Sequence, residues 1–272
     1  MVNRTNRLLA GAAAVAAGVL IARAAGRGRT APAQVTYSPL DVPKPVADDV
    51  WVVDSGPISA SGLQLPVRMT VIRLAGDDLF LHSPTRFTPD LAHQIAALGT
   101  VRHLVAPNIA HWTYISDWQR AFPDATLWAA PGLRGRAQVR ASALRIDADL
   151  TDQAPPAWAG EIAQGMVQGG GGFHEVWFCH RPSRTLLLVD LIQRLEPDKL
   201  PPLSRLVMRA AGATRGTTAR YLRPVIRMGG TDAEMAIRAL LALNPDRVIF
   251  AHGRYFADRG GEQLRRAFDW LV

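Results

Sequence analysis

The chain has 272 residues, 48% of them hydrophobic, which suits one globular domain with a sizeable core. Its single cysteine excludes an internal disulfide framework. The net charge of +8 arises from two acid-free spans, since residues 1–30 hold five arginines and residues 200–231 hold six. The rest of the chain has no basic excess, and it lacks a recognisable nucleic-acid-binding module, so we expect no nucleic-acid partner.

The N-terminal segment has the pattern of a targeting or anchoring sequence. Residues 1–7 are basic, and residues 8–22 are uncharged and apolar. This apolar run is shorter than the roughly 20 residues of a membrane-spanning helix and favours a signal peptide with a small-x-small site at 22–24. The arginines that follow favour an uncleaved anchor instead, and a plain soluble helix is the third alternative. We predict a signal or anchor segment and linker over residues 1–45, and membrane association or export with the side of the membrane left open.

Short apolar runs and amphipathic stretches alternate through the first half of the remaining chain. Thr88 followed by Pro89 predicts a helix start, because Thr caps helices and Pro suits the first helical position. A second helix is predicted over residues 113–122, and Pro123 ends it. The predicted strands are WVVD (51–54), MTVIRL (69–74), DLFLHS (78–83), VRHLVA (101–106) and ATLWAA (125–130). This alternation predicts an α/β layered fold with some parallel strand pairing.

The second half repeats this style, and we assign residues 46–272 to one domain. The predicted strands are GEIAQGMVQ (160–168), GFHEVWFCH (172–180), RTLLLVD (184–190) and RVIFAHG (247–253). Helices are predicted over residues 231–243, with Thr231 as the N-cap, and over the C-terminal residues 261–272. The arginine-rich span 200–231 is interpreted either as a lid that attracts an anionic substrate or as a solvated or membrane-facing insertion.

Four residues able to bind a metal ion occur at the ends of predicted strands. They are His111 after VRHLVA, His174 after a glycine run, Asp190 at the end of RTLLLVD and His252 after RVIFA. Ligands of open α/β sheets gather beyond the carboxyl ends of the strands, and this set of donors suits zinc, or iron or manganese. Each residue taken singly also has a structural explanation, as a cap or an ordinary sheet residue. The four in this order favour a metal site.

The order of these strand ends resembles the metallo-β-lactamase superfamily over most of residues 50–272. In that superfamily a strand ends in a His-x-His-x-Asp-His loop, followed along the chain by a Gly-His step, a bridging Asp and a final His. The stretches that resemble an uncharacterised bacterial and plant branch, known as a domain of unknown function, are RMTVIRL, LFLHSPTRFTPDL, VRHLVAPNIAHW, FPDATLWAAPGL and RVIFAHG. The resemblance implies a four-layer αββα sandwich of the α/β (α+β) class.

The metal loop of this sequence departs from the superfamily pattern. On residues 106–111 only the last His remains, as His111, while Ala106, Asn108 and Ala110 occupy three ligand positions. Alanine has no donor atom and the Asn amide is a poor transition-metal ligand, so the usual two-metal site is not expected. The resemblance implies instead that His111, Asp190 and His252 surround one metal ion, with His174 as a fourth candidate, or that no metal is bound.

The group that usually orients the attacking water, the loop Asp, is also missing, because Ala110 stands in its place. The candidates for its catalytic role are His82, at the end of the DLFLH strand, and Asn108. His82 is also explained as a half-buried residue at a strand end.

Two functions from different classes follow from these patterns. The first is a metal-dependent hydrolase-like enzyme with one zinc, iron or manganese ion, acting on a small and possibly anionic substrate. The second is a metal-free pseudoenzyme that binds a ligand or partner at the membrane. The metal content of the protein discriminates between them.

Overall fold

A computed structural model describes residues 35–60 and 63–272, so the apolar run 8–22 lies outside the described residues. Its strands are β1 Lys44–Ala47, β2 Val50–Ala60, β3 Leu63–Arg73, β4 Asp78–His82, β5 Thr100–Ala106, β6 Thr126–Ala129, β7 Ala148–Asp149, β8 Ile162–Gln168, β9 His174–His180, β10 Thr185–Leu187 and β11 Arg247–Ile249. Its helices are α1 Pro89–Ala96, α2 Ile115–Ala121, α3 Ala137–Arg140, α4 Pro202–Ala210, α5 Arg223–Arg227, α6 Gly230–Ala242 and α7 Gly260–Phe268. Among these described residues, no helix has the length and apolar character needed to cross a membrane.

The strands form two sheets. The first has seven strands in the order β1 to β7, antiparallel from β1 to β4 and parallel from β4 to β7. The second has four strands in the order β11-β10-β9-β8, with a parallel pair of β10 and β11. Three of the predicted ligands follow the carboxyl ends of these strands: His111 follows β5, Asp190 follows β10 and His252 follows β11.

Helices cover the outer faces of both sheets, which gives the predicted αββα layers. Period-two alternation sends neighbouring side chains of a strand to opposite faces. Between the sheets, for example, Phe80 of β4 meets Phe178 of β9 at a ring-centroid distance of 5.1 Å. Leu91 of α1 packs on the outer face of the first sheet, and Ile237 of α6 packs on the outer face of the second. Three apolar cores thus separate four layers, and the α/β sandwich predicted from the sequence is confirmed.

Several predicted bounds were wrong. The strand RVIFAHG ends at Ile249 and not at residue 253, and the C-terminal helix ends at Phe268 and not at residue 272. The strand RTLLLVD does not continue to residue 190, because the Leu188 N–H is the last to bond a β11 carbonyl, that of Ile249, and the N–H groups of residues 189–191 bond the Glu175 side chain instead. Thr231 does not cap α6, which begins one residue earlier, after Gly229, and has no side-chain cap. By contrast, Thr88 caps α1 as predicted, since its hydroxyl accepts a hydrogen bond from the Leu91 N–H at 3.1 Å.

Ordered chain precedes the predicted domain start at residue 46. β1 begins at Lys44 and pairs with β2, and the Lys44 ammonium bonds the Asp54 carboxylate. The Tyr37 ring lies 5.5 Å from the Arg68 guanidinium. Residues from 37 onward therefore contact the domain, whereas the assignment of residues 1–45 to a signal or anchor stays a prediction.

Candidate metal centre

Three of the four predicted ligands meet at one point. His111 follows β5 through a short loop, Asp190 follows β10, and His252 follows β11. One ligand atom from each residue lies within 4.8 Å of the other two, and this is the metal-competent group found among residues 35–60 and 63–272. His111 Nε2 is 3.4 Å from Asp190 Oδ2, and His252 Nε2 is 3.2 Å from Asp190 Oδ1. Both imidazoles therefore direct the same nitrogen at one carboxylate.

The His252 ring is held from the opposite sheet. Its Nδ1–H donates to the Pro66 carbonyl at 2.8 Å, which leaves Nε2 to face Asp190. The Arg68 guanidinium donates to the Phe250 and Gly253 carbonyls, both at 2.8 Å. Strand β3 thus bonds the backbone on both sides of His252 through Arg68, and it bonds the His252 ring through the Pro66 carbonyl. These contacts fix the ring orientation, as the outer partners of metal-ligating histidines do.

Arg68 is itself a buried cation with a dedicated partner. It is only 3% exposed, and its Nη2 lies 2.6 Å from Asp54 Oδ1 on β2. A buried charge of this kind is tolerated only when it is paired and hydrogen-bonded. The support for His252 therefore depends on an ion pair formed between two neighbouring strands.

The glycine after His252 is required by the backbone. Gly253 has a φ of +104°, and a Cβ built there would lie 2.1 Å from the Arg194 carbonyl oxygen. That carbonyl belongs to a bridge in which Arg194 pairs with Gly253. The FAHG motif therefore needs its glycine for close backbone approach, so that His252 can leave the sheet at this point.

The His111 ring is anchored by a residue that the sequence did not indicate. Ser83 Oγ lies 2.7 Å from His111 Nδ1, so the remote nitrogen is bonded while Nε2 faces Asp190. Ser83 follows β4 directly and has a φ of +55°, an uncommon conformation for a residue other than glycine. The positive φ of Ser83 marks it as an unusual residue, but this conformation is visible only in the structure, so the sequence offered no signal for it.

Asn108 positions two of the three ligands. Its Oδ1 accepts hydrogen bonds from the N–H groups of Ala110 and His111, at 2.8 and 2.9 Å. Its Nδ2 donates to Asp190 Oδ2 at 2.7 Å. These contacts give no support to the water-orienting role predicted for Asn108. They make it a positioning residue that ties the metal loop to Asp190.

His82 does not have the properties predicted for a catalytic base. It is 1% exposed at the end of β4, and its ring packs on Phe178 at 5.5 Å. Burial, followed by the charge of His111, lowers the pKa of His82 to about 3. A general base is most effective with a pKa near the working pH, so this neutral, buried ring belongs to the core between the sheets.

His174 lies outside the ligand group. It opens β9, and its Nδ1 is 3.1 Å from the Gly172 carbonyl oxygen. The next residue, Glu175, has the structural role that the sequence did not predict. Its fully buried carboxylate accepts hydrogen bonds from the N–H groups of Val189, Asp190 and Leu191, at 2.8, 2.9 and 3.1 Å. An acid inside the apolar strand HEVWF was the signal that could have found it.

The charges at the site are strongly coupled. Burial would raise the pKa of Asp190, but the charges and hydrogen bonds of His111 and His252 hold it well below its usual range. Burial would lower the pKa of His252, yet the hydrogen bond and charge of Asp190 raise it. Burial, and then the negative charge of Asp190, raise the pKa of Glu175 to about 8 despite its three N–H donors. The site therefore favours an anionic Asp190 matched by positive charge.

The geometry and the sequence agree with one family. A family model described as a domain of unknown function, DUF4336, matches residues 47–220. The chain belongs to the DUF4336 family. A search of curated proteins found no match to this DUF4336 member.

Solved structures show the fold that this DUF4336 chain adopts. The metallo-β-lactamase from Pontibacter korlensis is 15% identical with a TM-score of 0.58, and the match covers 84% of this chain and 97% of that one. The metallo-β-lactamase FIM-1 from Pseudomonas aeruginosa, in a mono-zinc form, is 13% identical with a TM-score of 0.56, and the match covers 84% of this chain and 93% of that one. A metal-soaked flavodiiron core, Flv1 from Synechocystis, is 12% identical with a TM-score of 0.57, and the match covers 84% of this chain and 60% of that one. The chain therefore has the metallo-β-lactamase fold, as its resemblance predicted.

The donor set of this DUF4336 chain fits a metal ion. Two imidazole nitrogens and a carboxylate are three ligands of the kind that catalytic zinc sites use, with a further position left for water or substrate. The remote nitrogens of both imidazoles are already bonded, to Ser83 Oγ and to the Pro66 carbonyl. Both Nε2 atoms and an Asp190 oxygen are therefore available to one ion.

Proposed function

We propose that this chain is a metal-dependent hydrolase-like protein that binds a single divalent ion through His111, Asp190 and His252. The observation that carries the proposal is the convergence of both Nε2 atoms on Asp190, at 3.4 and 3.2 Å, while both Nδ1 atoms are anchored. Zinc is the first choice because two imidazoles and one carboxylate suit it, with iron or manganese as alternatives. A bound ion of this kind supplies Lewis acidity and a water of lowered pKa.

The residues around the ligands have holding and orienting roles in this proposal. Asn108 and Glu175 fix Asp190 from its side chain and its backbone. Ser83 and the Pro66 carbonyl fix the two imidazole rings. The substrate class that we propose is a small ester, amide or phosphoester. An anionic group is favoured because, among the described residues, the six arginines between 205 and 227 form no ion pair with a carboxylate, so their positive field is not neutralised.

A metal-free ligand-binding protein is the second candidate. The same distances also suit direct ion pairing between Asp190 and the two imidazoles, which a protonated His252 would stabilise without an ion. The two candidates share the same three residues and differ in metal content. For residues 1–45 we retain the proposal of a signal or anchor segment, which would bring either kind of protein to a membrane or export it.

The metal content of the purified full chain tests the proposal. Elemental mass spectrometry would be applied to the wild type, His252→Ala, Asp190→Ala and the control His93→Ala, which changes an exposed histidine on α1. We expect about one transition-metal ion per chain in the wild type and the control, lost in the two site variants. Substoichiometric metal in all four proteins, together with a melting temperature unchanged by chelator, would instead support the metal-free candidate.

A further inference from the structure

Tyr221 approaches the metal centre from the arginine-rich span. It lies between α4 and α5, and its side chain is 39% exposed. Its hydroxyl is 2.9 Å from Gln193 Nε2 and 3.1 Å from Gln193 Oε1. Gln193 is three residues after Asp190, and its backbone pairs with Thr217 in an antiparallel bridge. The Asp190 segment and the Tyr221 segment are therefore held side by side.

The bond between the Tyr221 hydroxyl and Gln193, three residues after Asp190, puts this hydroxyl on the Asp190 side of the centre. Burial raises the pKa of Tyr221 to about 12, and the negative charge of Asp190 is the next cause. This second cause agrees with the position given by Gln193, because Coulomb interactions weaken with distance. The Asp190 side chain is 23% exposed, whereas those of His111 and His252 are 9% and 6% exposed. Approach to the ligands is therefore easiest past Asp190, where Tyr221 lies.

Gln193 is well suited to be a temporary partner for this hydroxyl. An amide side chain offers both a donor and an acceptor, so it can satisfy the hydroxyl in either orientation. The hydroxyl carries one proton and stays protonated at neutral pH, which makes it a donor to any oxygen atom that reaches the centre. Exchanging one neutral partner for a charged or metal-polarised oxygen makes the hydrogen bond stronger.

We propose that Tyr221 is a substrate-binding residue, which donates a hydrogen bond from its hydroxyl to a carboxylate, phosphoryl or ester oxygen bound at the His111–Asp190–His252 centre. Gln193 is its partner when no such oxygen is present. This inference rests on the proposed function, since it assigns a ligand oxygen to the open position of the metal centre. It adds a specific recognition element to the positive field of the arginine-rich span.

The competing explanation is structural. In it, the pair of Tyr221 and Gln193 only holds the segment around Thr217 against the segment after Asp190. The two explanations differ in what happens when Gln193 is replaced. Loss of a temporary partner frees the Tyr221 hydroxyl for the ligand, whereas loss of a structural partner disturbs the site as much as loss of Tyr221 does.

The test uses the full chain loaded with Co²⁺, whose visible spectrum reports on its ligands, and inorganic phosphate as the probe. Phosphate would be titrated into the wild type, Tyr221→Phe, Gln193→Met and the control Tyr114→Phe, which removes a hydroxyl from a half-buried tyrosine before α2. We expect equal cobalt stoichiometry in all four. Phosphate affinity should fall about tenfold in Tyr221→Phe, as for loss of one charge-assisted hydrogen bond. It should not fall in Gln193→Met, which frees the hydroxyl, and it should be unchanged in Tyr114→Phe.

Each other outcome has a definite meaning. Wild-type phosphate affinity in Tyr221→Phe overturns the inference. Equal weakening in Tyr221→Phe and Gln193→Met also overturns it, because the pair is then structural. If the wild type binds no cobalt at all, the absent cobalt spectrum shows that the proposed function fails, and the inference fails with it.

Discussion

Asn108 donates a hydrogen bond from Nδ2 to Asp190 Oδ2 at 2.7 Å, from a position at which the metallo-β-lactamase loop carries a histidine. A side chain that replaces a ligand has thus become a positioning residue for another ligand. The same side chain accepts two backbone hydrogen bonds through Oδ1 and so shapes the loop that presents His111. In the proposed centre, Asn108 therefore supports His111 and Asp190 instead of binding a metal ion itself.

Replacement of Asn108 by Ala should weaken metal binding strongly. It removes the bond to Asp190 and both bonds to the loop, and loss of outer partners typically costs about 10–100-fold in metal affinity. Competition between the loaded protein and a chelator of known affinity measures this. The exposed helix variant His93→Ala is the control and should retain wild-type affinity. Wild-type affinity in Asn108→Ala would show that the loop holds His111 without this side chain.

Replacement of Arg68 by Met should destabilise the fold. It removes the bonds to the backbone around His252 and leaves buried Asp54 with Lys44 alone, at a cost of about 3–5 kcal/mol in the free energy of unfolding. Urea denaturation measures it. The matched control is Arg73→Met. It breaks the ion pair between Arg73 of β3 and Asp49, which directly precedes β2, and these side chains are 38% and 43% exposed. That pair should contribute less than about 1 kcal/mol, and equal losses in both variants would contradict the special role of Arg68.

Replacement of Gly253 by Ala should disrupt the site. The added Cβ would meet the Arg194 carbonyl at 2.1 Å, so the backbone around His252 must move, in addition to about 1–3 kcal/mol of strain at positive φ. Thermal unfolding and metal content measure both effects. The control Gly76→Ala also has a positive φ, +82°, but no atom lies within 4 Å of its added Cβ. It should show the strain alone and keep its metal.

His82 should make stability depend on pH. Its folded pKa, about 3, lies below that of an unfolded histidine, about 6.5, so the unfolded state binds more protons between these values. The contribution is complete above pH 6.5 and is lost as the pH falls toward 3, by about 1.4 kcal/mol per pH unit. Unfolding of the wild type and His82→Leu between pH 4 and 7 measures it. The variant should lack this slope, whereas His93→Leu, on exposed α1, should retain it.

Local patterns in the sequence account for much of the fold. The apolar run of β4 and the Thr88-Pro89 start of α1 have local physical causes, so they could be predicted correctly. The end of β10 could not, because it depends on Glu175, a residue of another strand whose carboxylate accepts the N–H groups after Leu188. The start of α6 was also predicted wrongly. Thr is a residue type that often caps helices, but Thr231 lies inside α6 and the helix has no side-chain cap.

By itself, the sequence determined that His111, Asp190 and His252 follow strands, in the order that resembles the metallo-β-lactamase fold. Only the tertiary structure decided that these three converge while His174 does not, and which groups orient them. The Pro66 carbonyl is 186 residues from His252 in the chain, and Ser83 is 28 residues from His111. Such contacts leave no local periodicity or spacing, because they arise only when strand ends that are distant in the chain meet, between the two sheets for Pro66 and His252 and at one end of the first sheet for Ser83 and His111.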